Sequence, residues 1–212
     1  MANSTARENI LKKIKQALAK PVPVPFGAIE GNTESVFQPS TQELEIEFAE
    51  NFTKLLGKFS FCANEKELAE QLNLLSAARK WEKILCREPE LKNILVQNGF
   101  INLHYKNLDS CDASITTCET LIARTGSIVL SSATQSGRST SVYAPVHICI
   151  AYVNQLVYDI QDSLNAIQKK YTNNLPSLIT LATGPSRTAD IEKTLVVGVH
   201  GPKEVFLFLL EK

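Results

Sequence analysis

Several signatures are missing from this 212-residue chain, and each absence excludes a class of protein. There is no C-x-x-C pair. The five cysteines (Cys62, Cys86, Cys111, Cys118, Cys149) are odd in number and widely spaced, which argues against a disulfide framework, a zinc site or an iron–sulfur cluster. No G-x-G-x-x-G turn marks a nicotinamide or flavin site. No apolar run approaches the roughly 20 residues of a membrane span, and the first residues lack the apolar core of a secretory leader. Net charge is missing too: 22 basic residues balance 22 acidic ones, so nothing draws the chain in bulk to nucleic acid or an anionic membrane. These absences predict a cytoplasmic protein with no intrinsic cofactor, no metal, no nucleic-acid partner and no membrane insertion.

What is present reads as an α/β chain. Residues 6–19 place Ile10, Ile14, Ala17 and Leu18 on one helical face. Alternate prolines from Pro21 to Pro25 then hold the backbone extended. Residues 1–39 therefore read as a helix on an extended arm, a contact for a homo-oligomer or a frayed terminus, and 40–212 as the body. Ser40-x-x-Glu43 has capping-box spacing ahead of a helix whose apolar stripe runs from Leu44 through Leu56, with Gly57 as its stop. Strands are expected at 58–63, 83–86 and 100–105, with helices from Asn64 and Pro89 between them. That alternation implies crossovers and an open, mainly parallel sheet. Further strands are expected at 113–117, 127–132, 146–153, 177–182 and 205–210, with a helix over 159–170. The apolar runs at 146–153 and 205–210 suit central strands covered on both faces.

The polar chemistry concentrates in the second half. Thr183-Gly184-Pro185-Ser186-Arg187-Thr188 follows a strand, and Thr188 or Asp190 is placed to cap a helix after it. Such a turn suits an anion, with Arg187 offering a fork for carboxylate or phosphate; the alternative is a turn whose Arg187 pairs with Asp190 or Glu192. Thr125-Gly126-Ser127 is a second hydroxyl-bearing turn. Gly198-Val199-His200-Gly201-Pro202 sets a histidine between glycines, more often a structural arrangement than a catalytic one. Glu119 is the other catalytic candidate, without a basic partner near it in sequence. His147, inside an apolar run, reads as a core histidine.

Thr125–Leu130, Pro145-Val146-His147, Gly184–Glu192 and Gly198–Pro202, taken in order, resemble the LUD domain of the lactate-utilisation protein C family. The resemblance is firm over about residues 110–212. It implies a fold like that of the NagB/RpiA/CoA-transferase superfamily. It also implies a non-redox subunit that acts beside two iron–sulfur proteins in oxidising L-lactate to pyruvate. Ligand-binding residues would then be Thr125, Gly126, Ser127, Gly184, Pro185, Ser186, Arg187, Thr188, His200 and Gly201. The alternatives are an independent enzyme of the CoA-transferase, sugar-phosphate-isomerase or folate cyclo-ligase type, or a pure assembly module. One departure stands out: Arg124 occupies a position that is often acidic in the family.

Overall fold

A computed structural model describes residues 6–19, 40, 42–172, 174–188 and 196–211. The chain divides into two units, Met1–Pro39 and Ser40–Lys212. In the first, helix α1 (Ala6–Leu18) is described, and its Ile10, Leu11 and Ile14 are exposed.

The second unit begins with α2 (Leu44–Lys54), β1 (Lys58–Cys62), α3 (Glu65–Arg79), β2 (Ile84–Cys86) and α4 (Pro89–Gln97). Local chemistry sets several of these boundaries. Asn64 Oδ1 accepts from the Glu67 backbone N–H at 3.0 Å, and Glu67 Oε2 accepts from the Ala63 N–H at 2.8 Å, so α3 starts where its orphan donors are met. Pro89 opens α4, where its missing N–H costs nothing. The capping box expected at Ser40 is not formed: Glu43 occupies the N-cap of α2, and the Ser40 hydroxyl bonds to the Glu47 carboxylate instead.

The chain continues through β3 (Ala113–Thr116), β4 (Thr120–Ile122), a 3-10 turn at Ala123–Thr125, β5 (Ser127–Ser131), α5 (Thr140–Tyr143) and β6 (Val146–Tyr152). A second 3-10 turn at Val153–Gln155 leads to β7 (Leu156–Val157), α6 (Ile160–Tyr171), β8 (Ile179–Ala182), β9 (Arg187–Thr188), β10 (Val196–Val197) and β11 (Glu204–Leu210). The main sheet has the order β1-β11-β6-β3-β2, all parallel. A smaller sheet, β7-β4-β5-β8, is antiparallel except for the β4–β7 pair.

The unbroken apolar runs of β6 and β11 follow from burial on both faces. Ile148, Ile150, Phe206 and Phe208 pack with Leu68 and Leu72 of α3 and Leu91 and Leu95 of α4. Their neighbours Cys149, Ala151, Leu207 and Leu209 pack the other way, with Phe48 and Phe52 of α2 and Ile128 of β5. The far face of the small sheet is covered by α6, with Ile122, Val129 and Ile167 in contact. His147 is buried in this core. Its Nε2 lies 2.9 Å from Thr116 Oγ1, and burial pushes its pKa down to about 4.

Two expected elements differ. Phe100–Tyr105 forms no strand; only Tyr105 bridges to Leu85. Phe100 and Leu103 are both buried, a spacing of three, and a tight turn from the Leu103 N–H to the Ile101 carbonyl breaks the alternation. Thr188 does not cap a helix, because it lies in β9, paired with Val196. Asp190 and Glu192 lie outside the described residues.

Candidate functional site

The turn Thr125–Ser127 and the segment after β8 are joined by hydroxyls. Thr125 Oγ1 lies 2.8 Å from Ser127 Oγ, which lies 2.8 Å from Thr183 Oγ1. Antiparallel pairing of β5 with β8 brings these residues side by side. Both turns sit on α2. Gly126 (φ 59°) and Gly184 (φ 80°) have left-handed backbones, and a Cβ would fall 2.6 Å from the Phe52 nitrogen and 2.4 Å from the Leu55 carbonyl oxygen respectively. Glycine is required here for close packing against the helix. The Gly126 N–H is also spent within the chain, on the Ala123 carbonyl at 3.3 Å.

Ser186 links this region to the histidine loop. Its N–H donates to the Pro202 carbonyl at 2.9 Å, and its own carbonyl accepts from the Gly198 N–H at 2.8 Å. The structure thus brings the three sequence-predicted segments into one connected region through backbone bonds and hydroxyls. Pro185 is buried, while Arg187 is exposed on the β9–β10 ribbon opposite Val197.

Beside this region lies a cleft of about 410 Å³, lined by His200, Gly201, Gly198, Lys203, Tyr143 and Pro145, among others. His200 and Lys203 are exposed on its wall. Lys203 is tied in place by its N–H, which donates to the Pro145 carbonyl at 2.8 Å. Arg187 is not part of that lining. Lys203 and Tyr143 were not singled out by sequence reasoning. A lysine one residue beyond the Gly-Pro turn carries no signal of its own, and Tyr143 reaches the cleft only through the fold. The cleft stands where β6 and β11 begin, at the amino ends of the parallel strands.

Glu119 is elsewhere. It follows the carboxyl end of β3, across the sheet from His200, so the two catalytic candidates do not share a site. Its side chain is 2% exposed and accepts from Lys170 Nζ at 2.8 Å, Tyr171 OH at 2.8 Å and Ser131 Oγ at 2.5 Å. Burial alone would raise its pKa, but the hydrogen bonds from Lys170, Ser131 and Tyr171 outweigh it and hold the carboxyl below its ordinary range. Arg124 has an internal partner, with Nη2 2.9 Å from Asp159 Oδ1. That bond is the largest cause of the lowered Asp159 pKa. All five cysteines are free and buried, and burial pushes Cys62 and Cys86 up to about 11. Among the described residues no three His, Cys, Asp or Glu side chains gather as a metal site, and no helix is long and apolar enough to cross a membrane.

The chain is similar to Lactate utilization protein C of Bacillus subtilis, 36% identical over 107 residues, which are 50% of this chain and 45% of the relative. It is similar to Lactate utilization protein C of Deinococcus radiodurans, 35% identical over 104 residues, 49% and 48% of the two chains. An uncharacterized protein of Neisseria meningitidis is 32% identical over 99 residues, 47% of this chain and 42% of that one. The matched stretches thus span less than half the length of these curated relatives. In three dimensions, a DUF162 family protein from Deinococcus radiodurans superposes with a TM-score of 0.62 at 18% identity. That match covers 82% of this chain and 99% of the other, a likeness of fold. The LUD domain model matches residues 46–210, which take in every strand of both sheets, and the chain belongs to the LUD-domain family.

Proposed function

We propose that this protein serves lactate utilisation as a subunit without a redox group of its own, acting beside iron–sulfur proteins that oxidise L-lactate to pyruvate. Its part in that process is to hold a small carboxylate in the His200–Lys203 cleft. The reading draws on the relatives named Lactate utilization protein C and on LUD-family membership. The observation that carries it is the seating of Lys203 and His200 on one cleft wall, beside the loop that hydrogen-bonds to Ser186.

The chemistry is positional. Lys203 supplies a point charge with rotatable donors, and its backbone anchor to Pro145 fixes where the side chain leaves the main chain. His200 and Tyr143 add ring donors around the same space. Thr125, Ser127 and Thr183 act one layer back: their hydroxyls bond to one another and fix the turn that leads to Ser186. Arg187, on the ribbon outside the lining, steers anions toward the cleft.

Titration calorimetry of the purified chain with L-lactate and pyruvate tests this. Saturable binding is expected, with Lys203→Ala weakening it about tenfold, the cost of one charge-assisted contact. Arg187→Ala should cost less than Lys203→Ala. Equal affinity in wild type and Lys203→Ala would remove the cleft from the proposal. Loss of the protein from its cell should impair growth on L-lactate and spare growth on sugars; undiminished growth on lactate would refute the metabolic role.

A further inference from the structure

A second cleft, of about 380 Å³, opens at the other edge of the main sheet. It is built where three parallel strands end: Glu88 just after β2, Thr117 just after β3, and Tyr152 at the end of β6. In open α/β sheets the crevice outside the carboxyl ends of the strands is the usual ligand position. Lys170 and Tyr171, from the last turn of α6, close the opposite wall.

Two buried carboxylates organise the cleft. Glu88 Oε1 accepts from Ser136 Oγ at 2.6 Å, and Glu88 Oε2 from Thr117 Oγ1 at 2.6 Å, with the Thr117 N–H shared between them at 3.2 and 3.3 Å. Glu119, behind the wall, takes the protons of Tyr171 and Ser131 and one of the Lys170 ammonium. Burial and the bond to Glu119 both raise the Tyr171 pKa, so the phenol stays protonated. Burial would lower the Lys170 pKa, but Glu119 outweighs it, so the amine stays charged.

The consequence is a defined pattern of groups. Thr117 and Tyr171 have given their only protons to carboxylates, so toward the cleft their oxygens can only accept. A molecule seated there must donate, as hydroxyl groups do. Lys170 and the Gln135 amide supply donors in return: the Lys170 side chain is 60% exposed while Glu119 is 2% exposed, and hydroxyl groups can accept as well as donate. Lys170 is the one basic side chain among the lining residues, so a single carboxylate can pair with it while the hydroxylated remainder meets the Thr117 and Tyr171 oxygens and the Gln135 amide. A dianion is disfavoured, because Glu88 and Glu90 flank the same space.

The geometry points to a second ligand site here, for a polyhydroxylated monocarboxylate, with Lys170 as charge partner and Glu119 as the residue that positions it. This site is separate from the His200–Lys203 cleft and stands or falls independently of it.

Titration calorimetry of the full chain with sodium gluconate, 6-phosphogluconate, which adds a phosphate to the same carboxylate, and uncharged glucose tests the assignment. Gluconate should bind saturably, more tightly than the other two. Lys170→Gln should weaken it about tenfold or more. Glu90→Lys, on the exposed first turn of α4, should strengthen gluconate and admit the phosphorylated probe, without disturbing the buried Glu119 pair. Absence of gluconate binding, equal binding by Lys170→Gln, or a preference of the wild type for 6-phosphogluconate would each overturn the proposal.

Discussion

Arg124 and Asp159 form an ion pair, Nη2 to Oδ1 at 2.9 Å, that ties the turn before β5 to the start of α6. Asp159 also caps that helix: its carboxylate accepts from the Ile160 N–H, and Asp162 returns a bond to the Asp159 N–H at 3.0 Å. The arginine that departs from the family pattern thus has a structural partner, and its charge complements a carboxylate already committed to a helix start.

Removing Asp159 should therefore cost both the cap and the pair. Asp159→Ala is expected to lower stability by about 1–2 kcal/mol at neutral pH, and Asp159→Asn by less, since asparagine still caps. The pH dependence has a fixed sign. The folded carboxyl is held below its ordinary value of 3.8, so its contribution is present above that value and is lost as pH falls through the folded pKa. Urea unfolding of wild type and Asp159→Asn at pH 7 and near pH 3 should show a gap that narrows in acid. A gap of constant size would mean that the charge of Asp159 contributes nothing.

The glycine turns separate packing from binding. At Gly184 an added methyl meets the Leu55 carbonyl oxygen at 2.4 Å in a backbone already at φ 80°. Gly184→Ala should destabilise the fold by at least about 2 kcal/mol, combining the conformational penalty with the clash. Ser127→Ala leaves Thr125 and Thr183 to find new partners, at about 1–3 kcal/mol. Lys203→Ala, at an exposed side chain, should leave the melting temperature within a degree or two. Thermal melts of the three variants decide it; a Lys203→Ala protein as unstable as Gly184→Ala would make Lys203 a fold residue.

The hydrophobic clusters bear on truncation. Their buried members run from Phe48 to Leu210 among the described residues, and none comes from Met1–Pro39. A chain beginning at Ser40 should unfold cooperatively at nearly the same temperature as the whole. A drop of more than about 5 °C, corresponding to roughly 2 kcal/mol in a domain of this size, would show that the first unit stabilises the second.

The legible part of the fold was the part that a single segment specifies. The apolar runs of β6 and β11 marked strands buried on both faces, and His147 read as a core residue from its neighbours alone. Strands β4 and β7, three and two residues long, carry no periodicity; they exist because β5 and β4 lie beside them. Glu119 lacked a basic partner in sequence because Lys170, 51 residues on, reaches it only when α6 packs on the small sheet. Glu88 was invisible for the same reason: its donors, Thr117 and Ser136, come from 29 and 48 residues away. The stretch 131–141 is rich in hydroxyl side chains, which by composition alone carry no assigned role. Two of its serines turn out to hold those carboxylates.

His147 offers the strongest test of the core. Its imidazole is fully enclosed, with Nε2 2.9 Å from Thr116 Oγ1, and burial lowers its pKa from 6.5 to about 4. In the unfolded chain the ring takes a proton once the pH drops below about 6.5, whereas the folded protein resists until about 4. The contribution to stability is therefore complete above 6.5 and is lost as the pH falls toward the folded value. Over that interval the loss approaches about 3 kcal/mol. Replacing the ring with a group that cannot titrate removes this slope, whatever it does to stability at neutral pH. Urea unfolding of wild type and His147→Gln between pH 7 and pH 4 should give a steeper decline for the wild type. Parallel declines would mean that the buried ring accepts its proton in the folded state, through a rearrangement that exposes β6.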